Sequence, residues 1–411
     1  MARIGETHAY RLATVGAMVG LLGSACTAMV PSPESEIVRI AADLELTGQG
    51  AQLGAIYRNA LELRVEQINQ QGLLRSNRQL ELVVRDNRSD AAVAANNLRE
   101  FVGDHSIAAI VSGACWECLQ SMVDTINAEE VPTLSLAAAD EVAEPVEERR
   151  SIFKVGPSVD HVAAALVDQL ETGGARSVAI VATDDLYGKS GKLETEEAVK
   201  HAEQKIDIVV SKLLAPGSGE LSSTTEEIVD YLPPPQPDEV SSFQQRRGPD
   251  AVVAWGLAPF GVEFAESLHG AGYEGDLFLD PAAADNLFMT GAASEALTGA
   301  TMIFTETLVI DEVVATSPAK VNRRNWFNDY TARYGTYHAP ASLAADAIQL
   351  IVAAVNQVDS IDRAAIRTSL ESMQLDGLTG PLRMTPENHA GLLPQALAAV
   401  TVRDDRWRLS G

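Results

Sequence analysis

Basic residues are scarce in this chain: 31 Lys and Arg stand against 57 Asp and Glu over 411 residues, a formal charge of −26. That balance cannot neutralise phosphates, so a nucleic-acid partner is excluded. What it favours is a soluble, self-repelling surface. Cysteine is nearly absent, with three residues in all, which excludes a scaffold built from disulfides. Long apolar runs are also few. "LATVGAMVGLLGSA" near the N-terminus is shorter than a membrane span, and no second long stretch stands out, which argues against a channel. The length instead suits a globular chain of two ordinary domains.

The N-terminus carries an address. Arg3 and Arg11 precede the apolar run, and small residues then lead into Cys26. The segment resembles a bacterial lipoprotein signal, with residues 1–25 as the signal peptide and 26–35 as a polar tether on a lipidated Cys26. Gly23 stands where such signals usually have Leu, and Leu22 lies one position further back. Ordinary secretory cleavage and an uncleaved anchor are the alternatives. Export to the cell envelope, held to the membrane only through the lipid, permits Cys115 and Cys118 to be oxidised.

Further along, strand and helix patterns alternate. "EIVRIAAD" predicts a strand; "GQGAQLGAIYRNALELRVEQINQQG" predicts a helix, because Leu53, Tyr57, Ala60, Leu61 and Val65 recur at helical intervals. Strand "RQLELVVRDN" and helix "DAAVAANNLREFVG", capped by Asp90, come next, then strands "IAAIVSG" and "VPTLSLA" flanking a helix after Cys115. A fresh series follows "SIFKVGPSVDH", with strands "SVAIVAT", "IDIVVSK", "DAVVAWG" and "DLFLDP" separated by helices. Such alternation predicts an α/β chain of two doubly wound lobes with mainly parallel sheets. The proline-rich "LPPPQPDEVSSFQQRRGP" reads as a surface insertion. Three more helices and two extended stretches, "LTGPLRMTPENHA" and "QALAAVTVRDDRWRL", close the chain, and "RRNW" at Arg323–Trp326 reads as an ordinary surface turn of helix.

Taken together these segments resemble a known family, the type I periplasmic solute-binding proteins of the branched-chain amino-acid class that serves ABC importers. The resemblance rests on "LTGQGAQLGAIYRNALELRVEQINQQG", "VVRDNRSD", "YGKSG" after "SVAIVATDD", "YHAPASLAADAIQLI" and "DGLTGPLRM", in that order across residues 36–411. It implies two lobes joined by three crossings, near residues 153–158, 303–308 and 379–385. Residues 36–155 with 306–380 form the first lobe, and 156–305 with 381–411 the second. Solute is held between them, beyond the carboxyl ends of the strands. The implied partners are a small-molecule solute and the permease and ATPase subunits of an importer. No cofactor and no catalytic set is implied.

"CWEC" falls at the carboxyl end of the third strand, where the family holds solute. A disulfide between Cys115 and Cys118 stapling that loop, free thiols, and redox or metal chemistry are the open readings. A zinc site needs more ligands than the spacing offers, and His105 has no partner at a suitable interval. Carried over residue by residue, the solute site falls on Trp116, Glu117 and Cys118 in the first loop and on Ala137, Ala139 and Asp140 in the second. The other lobe contributes Asp185, Tyr187, Leu257 and Asp280. Ala282 stands at the family's second-lobe acid position, with Asp280 or Asp285 as substitutes, and hydroxyls are missing from the first-lobe loops. The clamp for an α-amino acid is therefore incomplete, and an amide, aromatic or other non-standard solute fits better. A ligand-sensing receptor subunit of the same fold and an extracytoplasmic thiol enzyme are the alternative functions.

Overall fold

Runs of β-branched residues too apolar for an exposed sheet face alternate here with helices that cover them on both sides, the arrangement parallel sheets require. The computed structural model describes residues 35–215, 217–233, 247–282 and 292–410. Cys26 with the leader, residues 234–246 of the proline-rich insertion and Asp285 lie outside the described residues.

The first lobe opens with strands β1 (Ile37–Leu44), β2 (Gln79–Asp86), β3 (Ile107–Ser112), β4 (Thr133–Ser135) and β5 (Ile152–Lys154). They pair in parallel in the order β2-β1-β3-β4-β5. Between them run helices α1 (Ala51–Gln71), α2 (Ala91–Gly103), α3 (Trp116–Gln120) and α4 (Val123–Ala128). Asp90 caps α2 by accepting the Ala92 and Val93 N–H groups, and α1 ends at Gly72 with a φ of 61°.

The second lobe carries β6 (Ser177–Thr183), β7 (Asp207–Leu214), β8 (Ala251–Trp255), β9 (Asp276–Leu279) and β10 (Thr301–Thr305). Its helices are α5 (Val159–Thr172), α6 (Leu186–His201), α7 (Leu221–Asp230), α8 (Phe260–Gly270) and α9 (Ala292–Ala296). The chain then returns to the first lobe as α10 (Pro318–Tyr334), α11 (Pro340–Val358) and α12 (Arg363–Leu370), followed by the small hairpin β11 (Gln374–Asp376) and β12 (Pro381–Arg383). It ends in β13 (Leu397–Arg403) and β14 (Arg406–Leu409), which complete a seven-stranded sheet ordered β14-β13-β10-β9-β8-β6-β7. β13 and β14 are its antiparallel members.

Three expectations need correction. Helix α11 is a second long apolar stretch, sufficient in length and composition to cross a membrane, but it is mostly buried. Its Leu343, Ile348, Ile351 and Val355 pack in the first-lobe core with Val38, Ile40 and Leu61, so its apolarity serves the interior. "RRNW" is not a surface turn: Trp326 is buried, and Arg323 donates to the Gly377 carbonyl and pairs with Asp376, tying α10 to β11. The third crossing comes later than residues 379–385. Lys154 N–H donates to the His389 carbonyl at 2.9 Å and Arg383 N–H to that of Gly391 at 2.7 Å, while His389 is buried and stacks on Phe153 at 4.2 Å. Those contacts hold residues 383–391 against β5, and the chain passes to the other sheet only between Leu393 and β13.

Candidate functional site

The loops beyond the carboxyl ends of both sheets meet. From the first lobe, Ala139 shares an apolar cluster with Val159, Tyr187 and Trp255 of the second, and Ala138 and Ala282 pack at its edge. Asp140 makes the junction polar as well. Its Oδ1 pairs with Lys154, whose side chain is fully buried, while Oδ2 accepts the Val159 N–H at 2.7 Å. Lys154 also donates to the Pro157 carbonyl. One carboxylate thus ties the last strand of the first sheet to the first helix of the second lobe, at the first crossing. A buried cation is tolerated because this partner is in place.

In the first lobe the loop after β3 is organised by a residue that sequence reasoning missed. Glu45, 3% exposed at the end of β1, accepts the Cys115 N–H at 2.9 Å and the Ala114 N–H at 3.2 Å, and the Asn87 amide lies 3.3 Å away. Gly113 is required beneath it: a Cβ there falls 2.3 Å from Glu45 Oε2. The signal available was a pair of acids, Asp43 and Glu45, at the end of the strand-like "RIAADLEL". Next to it Asp43, held by the Asn87 and Asn97 amides, has its carboxyl raised to about 6 by burial. Cys115 and Cys118 are joined as a disulfide, and the Cys118 N–H donates to Cys115 Sγ at 3.2 Å. Ala137 N–H donates to Ser135 Oγ. Several N–H groups that a bound anion needs are therefore already engaged within the protein.

The remaining sequence-derived residues divide by exposure. Trp116 is half-buried and lies beneath the Arg149 guanidinium, 5.8 Å from its ring centroid, and Glu117 beside it is exposed. Leu257, at 47% exposure, is the prominent apolar side chain beyond β8. Asp185 caps α6 by accepting the Gly188 N–H at 2.8 Å. Tyr187 and Asp280 are brought together but face inward: the Tyr187 hydroxyl donates to Asp280 at 2.7 Å, and both are buried. The Gly256 and Ala282 N–H groups also donate to Asp280. Burial outweighs these bonds and raises the Asp280 carboxyl to about 7; burial and the charge of Asp280 push the Tyr187 hydroxyl well above its ordinary value. The pair braces the loops after β6, β8 and β9 in this conformation.

Charge around the crossing is acidic. Glu144 and Glu194 are both raised, first by burial and then by neighbours that include Asp140, Asp160 and Glu141. These acids come from the first-lobe loop after β4 and from α5 and α6. The junction is therefore apolar at Ala138, Ala139 and Ala282 and bordered by the acids Glu144, Asp160 and Glu194.

The family model described as "Periplasmic binding protein" matches residues 37–406. An extracellular ligand-binding receptor from Rhodopseudomonas palustris HaA2 is similar in structure, with a TM-score of 0.74 at 20% identity, over 91% of this chain and 99% of that one. A leucine-binding protein from Thermotoga maritima matches at a TM-score of 0.74 and 17% identity, over 91% of this chain and 98% of that one. A branched-chain amino acid transporter substrate-binding protein from Streptococcus pneumoniae, solved with isoleucine, matches at 0.71 and 17%, over the same shares. No curated protein matches the chain in sequence.

Proposed function

The chain belongs to the periplasmic binding protein family, and from that premise we propose that it captures a small solute between its lobes and presents it to an ABC importer, anchored at the envelope through a lipidated Cys26. The observation that carries the reading is the meeting of loops from both sheets at Ala139, Asp140, Tyr187 and Ala282, beside the crossings about which the lobes swing. A solute that touches both lobes only when they close shifts the population toward the closed form, which a permease can read as occupancy. Of the similar structures, one is a leucine-binding protein and another was solved with isoleucine. The loops here argue for a different solute. Ala137 and Ala139 offer no hydroxyl, and Glu45 already occupies the N–H groups of Ala114 and Cys115. An amide or aromatic solute, packed by Trp116 and Leu257, suits this surface better than a plain α-amino acid.

The test is thermal unfolding across amino acids, amides, aromatic acids and small amines, followed by small-angle scattering of any hit. A solute at 100 times its dissociation constant adds about 2.7 kcal/mol to stability, and scattering then shows a more compact particle. Strong stabilisation by leucine or valine overturns the solute class. Turnover of any of these compounds by the purified protein overturns the binding role itself.

A further inference from the structure

The spacing Cys115–Cys118 supplies two sulfur ligands and no third, but the fold adds one. A Glu45 carboxylate oxygen and both Sγ atoms lie within 4.8 Å of one another. We propose that reduction of this disulfide opens a metal site, in which Cys115, Cys118 and Glu45 together bind one thiophilic divalent cation of the Zn2+ type.

Three features support the assignment. The ligands are of the right kind and nearly in place: zinc takes thiolate at about 2.3 Å and carboxylate oxygen at about 2.0–2.2 Å, and two cysteines separated by two residues form half of many zinc sites. Glu45 is buried and already oriented, held by the Ala114 and Cys115 N–H groups and by the Asn87 amide. Such outer hydrogen bonds fix a metal-binding carboxylate in position. Those donors are all neutral. Two thiolates released beside this carboxylate repel it and one another, and protons or a cation must then share the site. Cys115 and Ala114 are only half-buried, which leaves a path for the ion. With three protein ligands, the fourth position belongs to water.

The exchange balances simply. An external dithiol gives two electrons to the Cys115–Cys118 bond and itself becomes a disulfide; the two thiols formed release their protons when the metal binds. In vitro a phosphine does the same and leaves as its oxide, taking oxygen from water. Oxidised and metal-bound forms exclude each other, so the loop after β3 has two chemically distinct states.

The test needs no solute, so its outcome is independent of the transport reading. The full chain is reduced anaerobically with tris(2-carboxyethyl)phosphine, freed of reagent and titrated with Co2+. The expected result is thiolate-to-cobalt charge-transfer absorption that saturates at one equivalent, is bleached by Zn2+ and is absent from the oxidised chain. Cys118→Ser abolishes the absorption, and Glu45→Gln weakens Co2+ binding at least about tenfold in protein shown by circular dichroism to be folded. X-ray absorption of the zinc-loaded parent then shows two sulfur ligands with oxygen or nitrogen completing the set, a readout that stands if Glu45→Gln fails to fold. Reduced parent chain that binds no Co2+, Glu45→Gln that binds as tightly, or a zinc spectrum without sulfur overturns the proposal.

Discussion

Asp140 shows how much one side chain carries. It is the ionic partner of a fully buried lysine, so Asp140→Ala leaves the Lys154 ammonium its bond to the Pro157 carbonyl but removes its paired carboxylate. Removing one member of a buried pair costs about 3–5 kcal/mol, whereas replacing both by apolar groups is often close to neutral. Urea unfolding is expected to show Asp140→Ala strongly destabilised, and the double variant with Lys154→Met restored by more than half of that loss. Asp280 gives a prediction in pH. Its carboxyl is raised in the folded protein to about 7 from 3.8, so the folded state holds a proton that the unfolded chain releases between those values. The stability it contributes is full below about pH 4 and is lost as pH rises through 7. Asp280→Asn is expected to flatten the fall in unfolding temperature between pH 4 and 7 relative to the parent chain, whatever it does to the absolute value. Asp140 and Asp280 were both legible in the sequence as loop acids at strand ends. Their partners were not, because Lys154 and Tyr187 lie 14 and 93 residues away and nothing local marks the contact.

At the scale of elements, the strands and helices were readable wherever apolar spacing was regular. Helix α1 and strand β6 follow directly from their patterns. Short elements were harder: β10 is five residues between α9 and a crossing, and its neighbours in the sheet, not its own pattern, define it. The third crossing near residues 379–385 rested on the family resemblance alone, with no pattern of its own in the sequence. The stacking of His389 on Phe153 that delays it joins residues more than two hundred positions apart. Close approach between elements also sets tight limits. A Cβ at Gly191 of α6 falls 2.2 Å from the ring of Trp255, which is buried and donates to Thr195. Gly191→Ala is therefore expected to push α6 off β8 and cost about 1–3 kcal/mol, with a change in the near-ultraviolet dichroism of the tryptophan.

At the scale of the molecule, the two-lobed α/β plan was legible because both series of strands and helices run in the same order before the chain returns to each sheet in turn. The solute site was legible only as an address. Loops beyond strand ends can be located from sequence, but whether Tyr187 opens to a solute or turns toward Asp280, and whether a glutamate occupies the neighbouring N–H groups, depends on packing between segments far apart in the chain. Solute bound between the lobes is expected to compact the particle without changing the secondary structure, since swinging lobes need alter only the few residues of each crossing.

The Asp140 carboxylate grips a lysine of one lobe and the Val159 amide of the other, right where the chain first changes sheets. It therefore sits at the pivot of any jaw-like swing, where displacement is least, while the far rims travel furthest. Deuterium uptake at the Val159 amide is expected to be slow and the same in empty and loaded protein, whereas amides near Leu257 and Glu117 slow only once a solute is bound.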